Sequence, residues 1–438
     1  MIVETADRVA TSQFKAPTIV CNVDHRFLVG ESFAESGIKP RAILLEPVAR
    51  NTAAAIITAT YSVYREDPDA LILVMPSDHS IKNRDALYKA IDRAQSTAAS
   101  GRIVTFGIKA SRPITGYGYI EQGEAIDEDG HVMSVTQFHE KPDYQTAIEY
   151  LKKGSYSWNS GMFLFQAATL LEIIKELDPV FTDNAINAVN HSVTDLDFIR
   201  FDENSFSALP SQSFDITVME KTHQAAVIPV DMDWNDVGSW GSLWEASEKD
   251  TDGNVSLGET VMIDCSRSLA WNDDTGIATM IGVEDLLVVV NDGAVLVTTR
   301  DQAEKVRGLV DHLKLDGKEN HLITRTIHRP WGSYRNLDLG EGYLVKRIVV
   351  KSGARLSLQY HNHRAEHWVV VSGSARVTND KKIFDLGANE STYLPTGSIH
   401  RLENTGPTAL ILIEVQTGNL LSEDDIVRLD DIYSRKTN

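Results

Sequence analysis

The run Gln359-Tyr360-His361-Asn362-His363-Arg364-Ala365-Glu366-His367-Trp368, with a lone His400 further on, gathers metal-binding side chains into a short span. If His361 and His363 share a β-strand, both imidazoles point to one face, and Gln359 joins them by the same two-residue period. Glu366 follows closely, and His400 lies in a second strand-like run, Tyr393 to Asn404. Imidazoles plus one carboxylate form a donor set suited to a divalent transition metal, zinc first. His361, His363, Glu366 and His400 are therefore the expected ligands, with Gln359 and His367 as alternatives. A solvated His-rich hairpin is the competing reading. The flanks oppose it, because Gly353, an apolar WVVV run and Pro395-Thr396-Gly397 punctuate the stretch as barrel strands and turns. Arg364, Arg401 and Lys346 are candidates to hold a phosphate, which arginine binds with two parallel hydrogen bonds.

These residues need a scaffold, and composition bounds it. A chain of 438 residues with 42% hydrophobic residues has room for two or three domains with substantial cores. No run is long enough to span a membrane, and no N-terminal stretch reads as an export signal. Cys21 and Cys265 stand far apart, as expected in a reducing cytoplasm. The formal net charge of −20 argues against broad binding to nucleic acid or anionic membranes.

Residues 1–245 alternate short apolar strands (17–23, 41–47, 70–79) with helical runs such as 51–67, the pattern of an α/β domain with a mostly parallel, doubly wound sheet. Ligands of such sheets bind beyond the carboxyl ends of the strands. Two polar clusters stand there, Glu46 to Thr52 and Pro76 to His79. Residues 246–322 read as a β-rich connector ending in a helical segment, 302–313. Residues 323–438 read as a small all-β barrel closed by an acidic helix-like tail, Ser422 to Arg435.

Five motifs in order make the reading specific: FHEKP (138–142), WNSGMFLF (158–165), DWNDVGSW (233–240), RPWGSY (329–334) and the histidine block. Together they resemble the bacterial bifunctional mannose-1-phosphate guanylyltransferase/mannose-6-phosphate isomerase family, from near residue 16 to the C-terminus. The resemblance implies a nucleotidyltransferase-like domain joined to a cupin isomerase. Asp78 and Asp236 are similar to the family's magnesium carboxylates, and hard oxygen ligands suit that ion. Glu140 and Lys141 resemble the pair that holds the sugar and its phosphate. Gly118 and Asn159 look like further sugar contacts, and Arg50, Asn51 and Thr52 like the guanine-discriminating loop. Asp78, Lys141 and Asp236 in one domain, and Arg364 and Arg401 in the other, are the residues expected to act on reacting groups.

One departure stands out. The family opens with a strand and a Gly-rich loop ending in Arg, whose backbone N–H groups cradle nucleotide phosphates. This chain begins beyond that point, so the first, central strand of the sheet is expected to be missing, leaving unpaired strand edges. The expected substrates are GTP with mannose 1-phosphate, and mannose 6-phosphate or fructose 6-phosphate, with magnesium in one domain and zinc or a similar divalent ion in the other. A homo-oligomeric cytoplasmic enzyme is expected. The alternatives are an isomerase carrying a vestigial scaffold domain, and a non-catalytic sugar-nucleotide sensor.

Overall fold

A computed structural model describes residues 1–273, 276–291, 294–316 and 326–430. The chain divides into two compact units, Met1–Val255 and Ser256–Asn438. The expected boundary at 322/323 lies outside the described residues. No helix among the described residues is long and apolar enough to cross a membrane.

The first unit holds two sheets. In the smaller, β1 (Thr18–Asn22) and β2 (Ala42–Glu46) run parallel, followed by β10 (Phe198–Arg200) parallel and β9 (Val193–Asp195) antiparallel. The larger has the order β3 (Leu71–Val74), β8 (Tyr156–Gln166), β5 (Ile103–Lys109), β11 (Ala225–Pro229), β7 (Met133–His139) and β6 (Tyr119–Ala125). Here the mostly parallel expectation needs correction, since only β5 and β11 pair in parallel. The long β8 runs against β3, β5 and β6, and β6–β7 is a hairpin. Neither feature has a period that distinguishes it from a parallel strand in sequence.

β1 and β3 are edge strands of the smaller and the larger sheet respectively. The Leu71-Ile72-Leu73-Val74 run, apolar on both faces, is accordingly only part-buried. The helix Asn51–Tyr64 packs Ala53, Ala54 and Ile57 into the same core as Phe163 and Phe165 of β8.

In the second unit, residues 260–291 form short parallel pairs in which each residue meets the one eighteen positions later: Thr260 with Ala278, Leu269 with Leu287. This is a coil of stacked rungs, more regular than a generic connector. The barrel that follows consists of antiparallel sheets of six and five strands. Its last described strand, Ile426–Asp430, pairs with Leu358–His361, which corrects the helix-like expectation for residues 422–430. Residues 431–435 of that expected helix lie outside the described residues.

Alternation in three neighbouring barrel strands explains where core gives way to site. Leu344, Lys346, Ile348 and Val350 point inward from one; Leu410, Leu412, Glu414 and Gln416 from the next; Arg364, Glu366, Trp368 and Val370 from the third. Register aligns them in rows. Ile348, Leu412 and Val370 form an apolar row, then come Lys346, Glu414 and Trp368, then Leu344, Gln416 and Glu366. One end of the barrel is therefore an ordinary core, built with Trp331, Val377 and Leu402. The other is a buried polar interior.

Candidate functional site

At the polar end, His361, Glu366 and His400 are each 2% exposed and bring one ligand atom apiece within 4.8 Å of one another. They are the one such cluster of three among the described residues. His361 ends the strand Leu358–His361, and His400 opens the strand His400–Asn404, opposite Gln359. Each imidazole is turned by its Nδ1, which faces a backbone carbonyl: Asp425 O at 3.3 Å for His361, Ser398 O at 3.0 Å for His400. An Nδ1–H donated to a carbonyl leaves the Nε2 lone pair as the free one. Both Nε2 atoms are buried with no hydrogen-bond partner, and they lie 3.0 and 3.7 Å from the Glu366 carboxylate oxygens. Two orphaned lone pairs aimed at a carboxylate fit a divalent cation. Burial lowers the pKa of His400, keeping it neutral and able to ligate. Burial works against the charge on Glu366, but His361, His400 and Arg364 beside it hold its carboxyl well below the usual range.

Two expected ligands fall away. The strand stops at His361, and residues 362–363 turn outward because Asp425 captures their backbone N–H groups at 3.0 and 3.1 Å. His363 is therefore exposed. His367 alternates to the outer face, where it meets the ring of Tyr393 at 5.6 Å. Gln359 does point inward and lines the cavity beside Glu366, accepting from Ser357 at 2.8 Å.

That cavity, about 40 Å³, is also lined by Lys346, Arg364, Glu414 and Gln416. Arg364 Nε lies 3.2 Å from Glu366 and its Nη1 donates to Ser422 O at 2.7 Å. Arg401 is a correction: it faces away from His400 and pairs with Asp430 and Glu403. Glu414 was not foreseen. Trp368 Nε1 donates to Glu366 at 3.1 Å and to Glu414 at 3.0 Å, and Gln416 Nε2 to the same two at 3.1 and 2.8 Å. Two carboxyls thus share one pair of donors. Burial, then the neighbouring Glu366, push Glu414 up to about 8. The alternating run LILIEVQ (410–416), apolar inward and then polar inward, was the available sequence signal.

In the first unit, hydrogen bonds and ring contacts link several of the expected residues. The short strand β4 (Ser80–Ile81) pairs with β12 (Trp234–Asn235), bringing the Asp78 turn to the Asp236 turn. Trp234 Nε1 donates to His79 Nδ1 at 3.1 Å, and burial lowers the His79 pKa. Tyr117 donates to Asp236 at 2.8 Å, and its ring meets Trp158 and Trp234 at 5.2 and 5.3 Å. It links the acidic pair to the neighbouring Gly118. A Cβ on Gly118 would come within 2.8 Å of Glu140 Oε2 and 3.3 Å of Asn159 Cβ, so a side chain there would displace the Glu140 carboxylate.

Glu140 pairs with the exposed Lys141 at 3.0 Å. Asn159 accepts from Thr105 at 2.8 Å and donates to Asp215 at 2.8 Å. Burial, then Glu140, push Asp215 up to about 6. At the far end Arg50 donates to Ser207 O, Asn51 takes a positive φ of 62°, and Thr52 Oγ1 accepts from Phe214 N at 2.9 Å. Tyr117 and Asp215 were missed. The clue to Asp215 was a carboxylate inside an apolar run, FDITVM.

Comparison with known proteins agrees with this division. Residues 1–253 match the nucleotidyl transferase family, 258–313 the MannoseP isomerase/GMP-like beta-helix domain, and 316–431 the mannose-6-phosphate isomerase C-terminal family. The chain is 46% identical over 420 residues to the xanthan biosynthesis protein XanB of Xanthomonas campestris pv. campestris, covering 96% of this chain and 89% of that one. It is 45% identical over 439 residues to a mannose-1-phosphate guanylyltransferase of Escherichia coli K12, covering 99% and 92%. A crystal structure from Thermus thermophilus, described as a mannose-1-phosphate geranyltransferase, superposes with a TM-score of 0.62 at 30% identity, over 72% of this chain and 89% of that one. The chain belongs to the family of bifunctional enzymes that join a nucleotidyl transferase domain to a mannose-6-phosphate isomerase C-terminal domain.

Proposed function

We propose that the protein makes GDP-mannose from GTP and mannose 1-phosphate in the first unit and interconverts mannose 6-phosphate and fructose 6-phosphate in the barrel. The observation that carries the isomerase half is the pair of orphaned His361 and His400 Nε2 atoms facing Glu366 beside a cavity lined by Lys346 and Arg364. Zinc or a similar divalent ion on His361, Glu366 and His400 would polarise the sugar carbonyl and stabilise the oxyanion formed when a proton moves between adjacent carbons. Gln359 and Gln416 supply neutral hydrogen-bonding groups for sugar hydroxyls. Arg364 keeps Glu366 ionised, and the Lys346 ammonium favours the phosphorylated end.

For the transferase half, Asp78 and Asp236 would hold magnesium, which commonly keeps only one or two carboxylates and completes its shell with water and phosphate oxygens. Glu140, Asn159 and the backbone at Gly118 receive the sugar. Lys141, exposed beside Glu140, would meet the phosphate of mannose 1-phosphate. Asn51 and Thr52 would discriminate the guanine. Two free cysteines accord with a cytoplasmic enzyme. Pyrophosphate release from GTP, mannose 1-phosphate and magnesium tests the first activity, and turnover of mannose 6-phosphate the second. Isomerase turnover without pyrophosphate would leave the first unit a scaffold. EDTA should abolish isomerisation and zinc restore it; turnover that persists in EDTA sinks the assignment of His361, Glu366 and His400.

A further inference from the structure

We infer that Arg329, Tyr334, Lys346 and Arg428 form the anion subsite that receives the substrate's phosphate, and that the Glu423 carboxylate occupies it until the phosphate displaces it. The inference rests on the isomerase reading above and adds where the phosphate sits and what guards the place.

These four residues line the cavity that reaches Glu366, and Glu423 lines it with them. Lys346 is 7% exposed, yet among the described residues its ammonium has no hydrogen-bond acceptor, only the Tyr334 ring 4.8 Å beneath it. A buried lysine in that state is waiting for an anion. Arg329 approaches the same ring at 5.5 Å. Trp331 lines the same cavity, 4% exposed, and its Nε1–H has no partner; nor has the buried Gln416 Oε1. The cavity therefore holds unused donors, an unused acceptor and an uncommitted cation, which is the complement of a phosphorylated sugar rather than of a finished core.

Glu423 stands in for that phosphate. Its carboxylate accepts from Tyr334 Oη at 3.2 Å and lies 3.4 Å from Arg428 Nη2 and 3.7 Å from Arg329 Nη2. Burial alone would push the Glu423 carboxyl up, yet Lys346, Arg329 and Arg428 hold it below its ordinary value, as they would any anion placed there. The carboxylate is nevertheless removable. It lies on the short turn Glu423–Asp425, and its side chain is 40% exposed, so it can swing to water while the turn stays anchored by Asp425. Removal is also needed, because a phosphate would compete with the carboxylate for the same Tyr334, Arg329 and Arg428 groups.

The test uses the full zinc-loaded chain and reads two quantities: calorimetric binding of inorganic phosphate, and isomerase kinetics with mannose 6-phosphate. Glu423→Gln and Glu423→Ala should each bind phosphate roughly tenfold tighter, the equivalent of ~1.4 kcal/mol. KM should fall to a similar extent while kcat stays within about twofold, a split that a purely structural role would not produce. Lys346→Met should weaken phosphate binding by at least roughly tenfold with zinc affinity unchanged, as expected for loss of a charge-assisted contact. If both Glu423 variants melt like the parent chain but leave phosphate affinity and KM unmoved or weakened, Glu423 is not the occupant and the inference fails while the isomerase reading stands. If phosphate binds tighter in both variants but no variant or parent turns over mannose 6-phosphate, the subsite stands and the isomerase reading falls.

Discussion

Asp425 is the residue whose removal should separate a positioned metal site from a mere cluster of ligands. It touches no proposed substrate, yet its Oδ1 accepts from the N–H groups of Asn362 and His363 at 3.0 and 3.1 Å, and its own carbonyl faces His361 Nδ1 at 3.3 Å. The side chain is buried, 2% exposed. It therefore ends the strand at His361 and sets the tautomer and direction of that imidazole. Asp425→Ala removes two hydrogen bonds to a charged acceptor, each contributing roughly 1.5–3 kcal/mol. Asn362 and His363 are exposed, so water can satisfy part of what is lost, which points to the low end: about 2–4 kcal/mol. For a unit of this size that lowers the barrel's melting temperature by roughly 5–15 °C. Because the imidazole loses its orienting turn, zinc affinity should fall by about 10–100-fold, the usual effect of removing a group that aims a ligand. Calorimetric melting with and without zinc, and competition against a chromophoric chelator, measure the two effects. Asp425→Asn, which keeps one acceptor oxygen, should lie between. A variant that melts lower but holds zinc within about twofold of the parent would show that His361 is aimed by something else, and the reasoning about its Nδ1 would be wrong.

Three further outcomes follow from the first unit. Asp215, raised to about 6 by burial and by Glu140, binds its proton more tightly folded than unfolded, where an aspartate titrates near ~4. Its contribution to stability is thus full below pH ~4, is lost as pH rises through about 6, and stays lost above. Asp215→Asn should flatten that slope in a pH series of denaturant melts, by about 1–2 kcal/mol once its partial exposure is allowed for, and should raise KM for mannose 1-phosphate by loosening Asn159. An unchanged slope would refute the shift. Gly118→Ala places a methyl 2.8 Å from Glu140 Oε2 and should cut transferase kcat/KM by about 10²-fold with the isomerase untouched, since small displacements of a positioning group are costly. Equal transferase activity would show that Glu140 is not held there. Burial, then Glu46, push the Cys21 thiol up to about 11, so only about 0.1% is thiolate at pH 8. Iodoacetamide should then label it about two orders of magnitude more slowly than a free cysteine, and fast labelling would contradict its burial.

What the sequence revealed and what it hid divide along physical lines. His361, Gln359, Glu366 and His400 could be picked out because local alternation and residue type carry the information. His363 was misplaced because the strand's end is imposed by Asp425, more than sixty residues away, and nothing local announces it. Ser422–Asp430 looked helical by composition, and became a turn and strand because Leu358–His361 offered an edge. Tyr117 depends on tertiary neighbours alone, and Asp215 left only the faint trace of a carboxylate in an apolar run. Arg401 was chosen for charge when its position next to His400 already placed it on the opposite face of the strand.

The row Lys346–Glu414–Trp368 shows what residue type and alternation leave out: which residues stand level with one another. Its members come from three strands, and only register brings them level. One step deeper in the barrel the same strands supply Ile348, Leu412 and Val370, which bury without penalty. Replacing that pattern with ions at the next level costs desolvation that the neighbouring charges only partly return. A stable barrel would not need Glu366, Glu414, Lys346 and Arg364 under 10% exposure in one cluster. They persist because Trp368 and Gln416 bridge the two carboxyls while the Arg364 guanidinium pairs with Glu366. The boundary between the two rows is thus where sequence stops specifying a core and starts specifying chemistry, with Lys346, Glu366, Glu414 and Gln416 on its polar side.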